Sequence, residues 1–584
     1  MQIDHSLENV INKEAIERFS AVKPLVDTLG SKFTLMDREA TFKIFADALN
    51  ERYHHWKRGA IDRNCHPIPF LAAGPGTGKS RFLQELHSSF KQFIINSNSC
   101  SESLKETYSN ALFINISFGN GTLYNADDIK MGIEKAVCYR ILSQIIDKTD
   151  VLITELNLVK LLKLLAIDCK CIVLGIDEIN RIHEKDKNEF KSLIEIIGSL
   201  SIAFKPFFIP VFAGTVIGSI EDVITRSSHP PLELPLPLLS YESCKNIFIN
   251  MNASFSEEID ANTNIQHVIS DMGGHCRALE FLYSVLMESS DLYDFERSKD
   301  KVIHMLNSRY TFKSYNLQGA IAYSFLGVRT KSVDTVPGGV NLQFKDLEEQ
   351  GLLKIEHGIV KMPWIFVCCW LEASSSSSVT RLWQHLLIER DFFWQNWEKF
   401  NRNYFAFRLS LYSVLGRKEL RLSEYLSGAT INIPDSMILK VPSIDHICVD
   451  VAKHRYPTTE TPSFDIGTFV LNCSGAPFDA FCWLELVSND TILLTLEMKL
   501  AMPESNRGQA IKNSKINQTF LKINDSMAAY LPGSQFVVII LGRCNGDFKQ
   551  KDLPGKCAVI TKDQQRHFYG DAFYRRLNRQ NDQE

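Results

Sequence analysis

Leu71–Leu83 reads LAAGPGTGKSRFL. A short apolar run, PIPFLAA, leads into it, and SRFLQELHSSF, with apolar residues at helical spacing, leads out. Strand, glycine-rich loop and helix in that order make a turn that wraps a nucleotide's phosphates. Backbone N–H groups of Gly76 to Lys79 would cradle the anion at a helix start, Lys79 would reach the β- and γ-phosphates, and Ser80 would ligate Mg²⁺. Gly74, Pro75, Gly76, Thr77, Gly78, Lys79, Ser80 and Arg81 are therefore the expected nucleotide-contacting residues, with ATP and Mg²⁺ as cofactors. Ala73 stands where the loop pattern more often has glycine, while Gly78-Lys79-Ser80 fits it fully.

Further along, IVLGIDE is an apolar strand that delivers Asp177 to Mg²⁺ and Glu178 to the attacking water. ALFINISF at Ala111 to Phe118, CIVLGIDE at Cys171 to Glu178 and PFFIPVFAGT at Pro206 to Thr215 are apolar runs separated by helical patterns. Strands alternating with helices predict a parallel sheet covered on both faces. Thr215, at the end of its run, is expected as a polar sensor beside the γ-phosphate. Arg277, in GGHCRALEFL, is expected at the start of a lid helix, where it could report on the phosphates. Arg181 and Arg226 are alternative arginine fingers, between which the sequence does not choose.

The chain has 584 residues, 45% hydrophobic and 23% charged, which excludes a disordered or fibrous protein and allows three or four domains. A formal net charge of -4 supplies no global field for nucleic acid, so any such binding must come from a local groove. The 14 cysteines lack paired C-x-x-C spacing and read as reduced thiols rather than a zinc site. The N-terminus lacks the basic start and apolar core of a secretory signal, and no apolar run has the length of a membrane span.

The expected organisation is an N-terminal helical region over 1–60, a nucleotide-binding core over 61–240, a helical lid over 241–312 and a winged-helix module over 313–372. A serine-rich linker over 373–382 and a second α/β domain over 383–584 complete it.

That second domain carries LLTLEMKLA at Leu493 to Ala501. Alternation along a strand puts Glu497 and Lys499 on one face, so the carboxylate can bind Mg²⁺ while the ammonium steadies the attacking water or transition state. GAPFDAF offers Asp479 on the preceding strand, which a hairpin would bring beside Glu497 as a second metal ligand. Glu398, in NWEKF on the helix that opens the domain, offers a third carboxylate, and Gln509, on the following helix, could also approach the site.

From about residue 30 the chain resembles the Crinkler effector family and the related retrotransposon-hot-spot proteins, which fuse a P-loop ATPase to a nuclease-like PD-(D/E)xK domain of the restriction-endonuclease superfamily. The resemblance rests on REATFKIFADAL, AGPGTGKSRFLQEL, ISFGNGT, IDE, VFAGT and GGHCRALE, then on WEKFNRNYFAFR, PFDAF, LEMKL and FVVIILGR with KCAVITKDQQRHFYGDAF. It implies an α/β multidomain protein: a P-loop NTPase of AAA or STAND type with a parallel sheet and helical lid, a winged helix, and a C-terminal restriction-endonuclease-like domain. By matching position it implies Lys79, Ser80, Asp177 and Glu178 at the nucleotide, and Asp479, Glu497 and Lys499 with Glu398 at a nuclease centre. The expected partners are DNA in preference to RNA and further copies of the chain, with no membrane. Host-delivered members usually start with a ubiquitin-like module ending in a translocation motif near LFLAK, and no stretch of this sequence matches it. The expected location is therefore intracellular, with the nucleus and a host cell as alternatives.

Overall fold

The computed structural model describes residues 25–577 apart from 26, 120, 145–156, 167–168, 216, 254, 289–294, 375–376, 387–393, 459–463, 500–510 and 543–544. The chain divides into two compact units. One comprises Met1–Glu258, Gly274–Leu292 and Lys345–Lys354; the other comprises Ile259–Gly273, Tyr293–Phe344 and Ile355–Glu584.

The first unit is built on five strands: β1 (Ile68–Ala72), β2 (Ala111–Ser117), β3 (Cys171–Asp177), β4 (Phe207–Gly214) and β5 (Pro231–Glu233). Their order is β2-β3-β4-β1-β5 and every neighbouring pair is parallel. A parallel sheet is covered on both faces, which is why β1, β3 and β4 are unbroken apolar runs buried from end to end. Strand alternation divides those runs between two cores: Ile172, Leu174 and Ile176 face one, and Cys171 and Val173 the other. The Glu39–Lys57 helix places Phe42, Phe45, Leu49 and Tyr53 in the second core, where Phe45 stacks on Phe90 at 4.6 Å. The fold class is thus mixed α/β with a five-stranded parallel sheet, as the alternation of apolar runs and helical patterns predicts. Because the strands run the same way, the loops leaving β1, β3 and β4 emerge at one end of the sheet.

The stretch 241–312 is helical through most of its described residues, and its helices are distributed over both units. Within 313–372 the structure has the helices Gln318–Leu326, Phe344–Glu349 and Trp364–Ala373 and a two-stranded pair, β6 (Lys354–Glu356) with β7 (Ile359–Lys361).

The second unit contains the 21-residue helix Trp394–Val414. It also carries strands β8 (Glu419–Arg421), β9 (Thr430–Asn432), β10 (Ile438–Lys440), β11 (Cys448–Val451), β12 (Thr468–Leu471), β13 (Ala480–Glu485), β14 (Thr491–Lys499), β15 (Ile511–Lys512), β16 (Gln535–Gly542), β17 (Gly546–Asp547) and β18 (Cys557–Ile560). Seven of them form one sheet in the order β11-β12-β13-β14-β16-β18-β9. Strands β12, β13 and β14 are an antiparallel meander, after which the Asn513–Tyr530 helix crosses over to β16, parallel to β14. The longer strands β13, β14 and β16 and the four-residue, fully buried β18 coincide with the apolar runs of the sequence. Strands β8 to β12 have three or four residues each, with Pro434, Pro442 and Pro457 between them, so no alternation builds up there.

Candidate functional site

At the end of β1 the chain turns through Gly76 at φ 78° and Gly78 at φ 98°, left-handed conformations that glycine adopts without a steric penalty. The Thr77 hydroxyl donates to the Gly74 carbonyl at 2.8 Å, and a helix begins at Lys79. The Lys79 ammonium is buried and donates to the carbonyls of Ala73 at 2.6 Å and Gly74 at 2.9 Å. Burial lowers its pKa, opposed by the charges of Glu178 and Asp177. Arg81 pairs with Glu85 at 2.5 Å.

Parallel pairing carries the end of β3 to the same place. The Ser80 hydroxyl donates to Asp177 Oδ2 at 2.6 Å. Asp177 is fully buried, and burial pushes its carboxyl up to about 6 while the Ser80 bond and Lys79 pull down and Glu178 pushes up. A hydroxyl and a carboxylate side by side are hard oxygen donors of the kind Mg²⁺ takes, and the loop supplies a lysine next to them, so these residues fit a Mg²⁺-nucleotide.

Glu178 has φ 57°, a conformation side-chain-bearing residues seldom hold. The turn after β2 lies against it: a β-carbon on Gly119 would stand 2.7 Å from Glu178 Cγ. Arg140 secures that turn, donating to the carbonyls of Ser117 at 3.1 Å and Thr122 at 2.9 Å and pairing with the buried Asp128 at 2.7 Å. The sequence offers ISFGNGT as the sign of such a turn; Arg140 carries no local signal. Asn180 is a second residue the sequence does not single out. Its Oδ1 accepts the backbone N–H of Thr215 at 3.3 Å, joining the residue after β4 to the helix after β3.

Arg277 stands at the start of the Cys276–Glu288 helix. Its backbone N–H donates to the Gly76 carbonyl at 3.2 Å, and its guanidinium pairs with Glu280 at 2.9 Å. The preceding His275 is buried against the Pro75 backbone, and burial lowers its pKa to about 3. Arg181 reaches Glu184 at 3.2 Å and comes within 3.9 Å of Glu178, whereas Arg226 is exposed at the end of the Ile217–Arg226 helix. A turn from the Lys345–Lys354 segment also packs on the loop, where a β-carbon on Gly74 would meet Gly351 Cα at 2.2 Å.

In the second unit, Asp479 lies one residue before β13 rather than on it. Its N–H donates to the Leu496 carbonyl at 2.9 Å, and its Oδ2 accepts the N–H of Met498, the residue between Glu497 and Lys499, at 2.6 Å. Glu497 is buried on β14 opposite Ile540. Glu398, half-buried on the Trp394–Val414 helix, has its carboxyl pushed up by burial and by the charge of Glu497. The backbone of Lys499 closes β14 opposite Gly542, and Gln509 lies outside the described residues. The pair and Glu398 fall short of a metal cage: among the described residues no group of three or more His, Cys, Asp or Glu could hold a metal ion. Their oxygen chemistry suits Mg²⁺, which needs only one or two carboxylates when water and substrate complete its shell. No described helix is long and apolar enough to cross a membrane.

No protein-family model matches the chain. It is 21% identical to Crinkler effector protein 108 of Phytophthora sojae, over 89% of this chain and 66% of that protein, so it spans just under two thirds of that relative's length. Among solved structures it is similar to the Walker-type ATPase PABY2304 of Pyrococcus abyssi at 12% identity and a TM-score of 0.36, covering 57% of this chain and 96% of that one. The Aeropyrum pernix ORC1 protein, solved in complex with DNA, is similar at 11% identity and a TM-score of 0.30, over 59% and 94%.

Proposed function

We propose that the chain is a Crinkler-like ATP hydrolase coupled to a Mg²⁺-dependent nuclease that acts on DNA, the nucleotide state governing the nuclease. The observation that carries the first half is the 2.6 Å bond between Ser80 and Asp177, which supports this reading by bringing together the two side chains it assigns to Mg²⁺. Bound there, Mg²⁺ would neutralise charge on the phosphates. Gly74 to Arg81 bind and orient the nucleotide, with Lys79 moving its ammonium from its own loop carbonyls to phosphate oxygens. Glu178 orients water and accepts its proton at the carboxylate. Thr215 and Arg277 sense the phosphates, Arg277 on release from Glu280.

The second half is supported by the meander-helix-strand order around β14 and by the Asp479 bond to the N–H between Glu497 and Lys499. In this reading Asp479 and Glu497 would hold a metal, which when bound would supply an acidified water, Lys499 would offset charge developing on the phosphate, and Glu398 would support the pair. Phosphate release from ATP should be lost in Lys79→Ala and Glu178→Gln. Plasmid nicking in Mg²⁺ should be lost in Glu497→Ala and Lys499→Ala; equal cutting by wild type and both variants overturns the nuclease. Cutting that ignores ATP and Lys79→Ala overturns the coupling.

One observation favours a second reading, an ATP-binding signalling or scaffold protein of STAND type whose nuclease-like domain binds DNA or a partner without cutting. It is the burial of Glu497 on β14, which keeps that carboxylate from the water and substrate that would complete a metal's shell. Mn²⁺ titration of an Asp177→Asn variant separates the two: binding that disappears on adding Glu497→Ala supports the nuclease, and no binding supports the scaffold.

A further inference from the structure

One line of paired residues crosses the second unit's sheet: Val451, Leu471, Ala480, Leu496, Ile539 and Ala558. Asp479 and Glu497 lie one residue beyond that line. The chain leaving β11 passes the same end of the sheet and presents Lys453, His454 and Arg455 in succession, all exposed. None of the three has an ion-pair partner among the described residues. With strands about 4.8 Å apart, β11 lies roughly 10–15 Å from β13 and β14, the span of about three or four nucleotides at ~3.4 Å each.

This basic loop is tied to the backbone that carries Asp479 rather than merely close to it. Asn472, buried after β12, accepts from the Tyr456 N–H at 3.0 Å and donates to the carbonyls of Tyr456 at 2.7 Å and Phe478 at 3.1 Å. Its own N–H donates to the Asp479 carbonyl at 2.8 Å. Tyr456 is stacked on Phe481 at 4.3 Å, and Cys473 Sγ contacts the Ala452 carbonyl at 3.1 Å. Arg455 donates through Nε to the Ser474 carbonyl at 2.9 Å and lies across Gly475, where a β-carbon would come within 2.8 Å of Nη2. Lys453 and Arg455, two positive charges one residue apart, are held on this rigid base with no ion-pair partner among the described residues. Asp479 and Glu497 alone would repel a polyanion, and the chain's net charge of -4 gives no long-range attraction.

We propose that Lys453, His454 and Arg455 form the rim that docks the phosphate backbone of duplex DNA beside Asp479 and Glu497. The proposal rests on the reading that the second unit acts on DNA, and its test does not require cutting. In EDTA, binding of a short fluorescein-labelled DNA duplex is followed by anisotropy as salt is raised. The double variant Lys453→Gln with Arg455→Gln should lose about two from the slope of log affinity against log salt, and about tenfold in affinity. Lys453→Arg with Arg455→Lys, which keeps both charges, should match wild type. Lys453→Gln alone leaves the Arg455 bond to Ser474 in place and should lose about one from the slope, which separates lost charge from lost structure. Slopes unchanged in the Gln variants overturn the proposal, and so does tighter binding of duplex RNA than of duplex DNA. A wild type that binds in this way but never nicks plasmid removes the nuclease and leaves the rim standing; cutting with an unchanged slope does the reverse.

Discussion

Gly119 lies so close to Glu178 that a β-carbon on it would stand 2.7 Å from the glutamate's Cγ. The contact joins the turn after β2 to the residue after β3, and neither side gives easily. Glu178 is held at φ 57°, and the turn is tied down by Arg140. Gly119→Ala should therefore displace the Glu178 carboxylate while leaving Lys79, Ser80 and Asp177 in place. ATP hydrolysis should fall on the order of 10²-fold, the scale of a misplaced general base, with ATP affinity kept. Phosphate release and a fluorescent-nucleotide titration check this; hydrolysis at the wild-type rate would falsify it.

Asp177→Asn keeps a side-chain oxygen for the Ser80 hydroxyl but removes the charge that suits it to Mg²⁺. Nucleotide affinity measured in EDTA should match wild type, and the gain that Mg²⁺ brings should disappear. The same titration in Mg²⁺ decides it. An undiminished gain would mean that the metal is held elsewhere.

Arg140 pairs with Asp128, both almost wholly buried, and donates to two carbonyls of the Gly119 turn. Arg140→Met fills much of the same volume but leaves Asp128 charged and without its partner in the core. Breaking a buried pair from one side costs about 3–5 kcal/mol. The melting temperature of the first unit should drop by roughly 10 °C, and Asp128→Asn added to Arg140→Met should recover part of that loss. A melting temperature within error of wild type would show the pair to be dispensable.

The parts of the candidate nucleotide site were legible because they are local in sequence. A glycine loop must follow a strand and precede a helix, and an acidic pair must end an apolar strand, so Lys79, Ser80, Asp177 and Glu178 can be named without a structure. What the sequence does not reveal is built by contacts across the chain. Arg140 is recognisable only once Thr122 and Asp128 are folded beside it, Asn180 only once β4 brings Thr215 to it, and Asn472 only once β12 and the Tyr456 loop meet. Strands β8 to β12 escaped for a different reason: three or four residues are too few to show a period of two. Asp479 was legible as a residue type and one position off as a strand residue, since its ladder bond to Leu496 continues past the end of β13.

His275 sets an acid limit on the first unit. Burial lowers its pKa to about 3, the charges of Arg277 and Lys79 act in the same direction, and the bond to the Pro75 backbone opposes them. In the unfolded chain a histidine titrates near ~6.5, so between ~6.5 and about 3 the unfolded state binds the extra proton and the folded state does not. The stability His275 contributes is fully present above ~6.5 and is lost as pH falls through that window, about 2 kcal/mol by pH ~5. His66 and His229, also lowered by burial, act in the same sense, whereas Asp177, raised to about 6, has the opposite sign. The difference between wild type and His275→Gln isolates the one residue from the others. Melting curves of the two proteins should run parallel above neutral pH and converge as the solution is acidified, because only the wild type has that proton to take up on unfolding. Parallel curves throughout the acid range would mean that His275 keeps an ordinary pKa in the fold, and its burial beneath the nucleotide loop would have to be reconsidered.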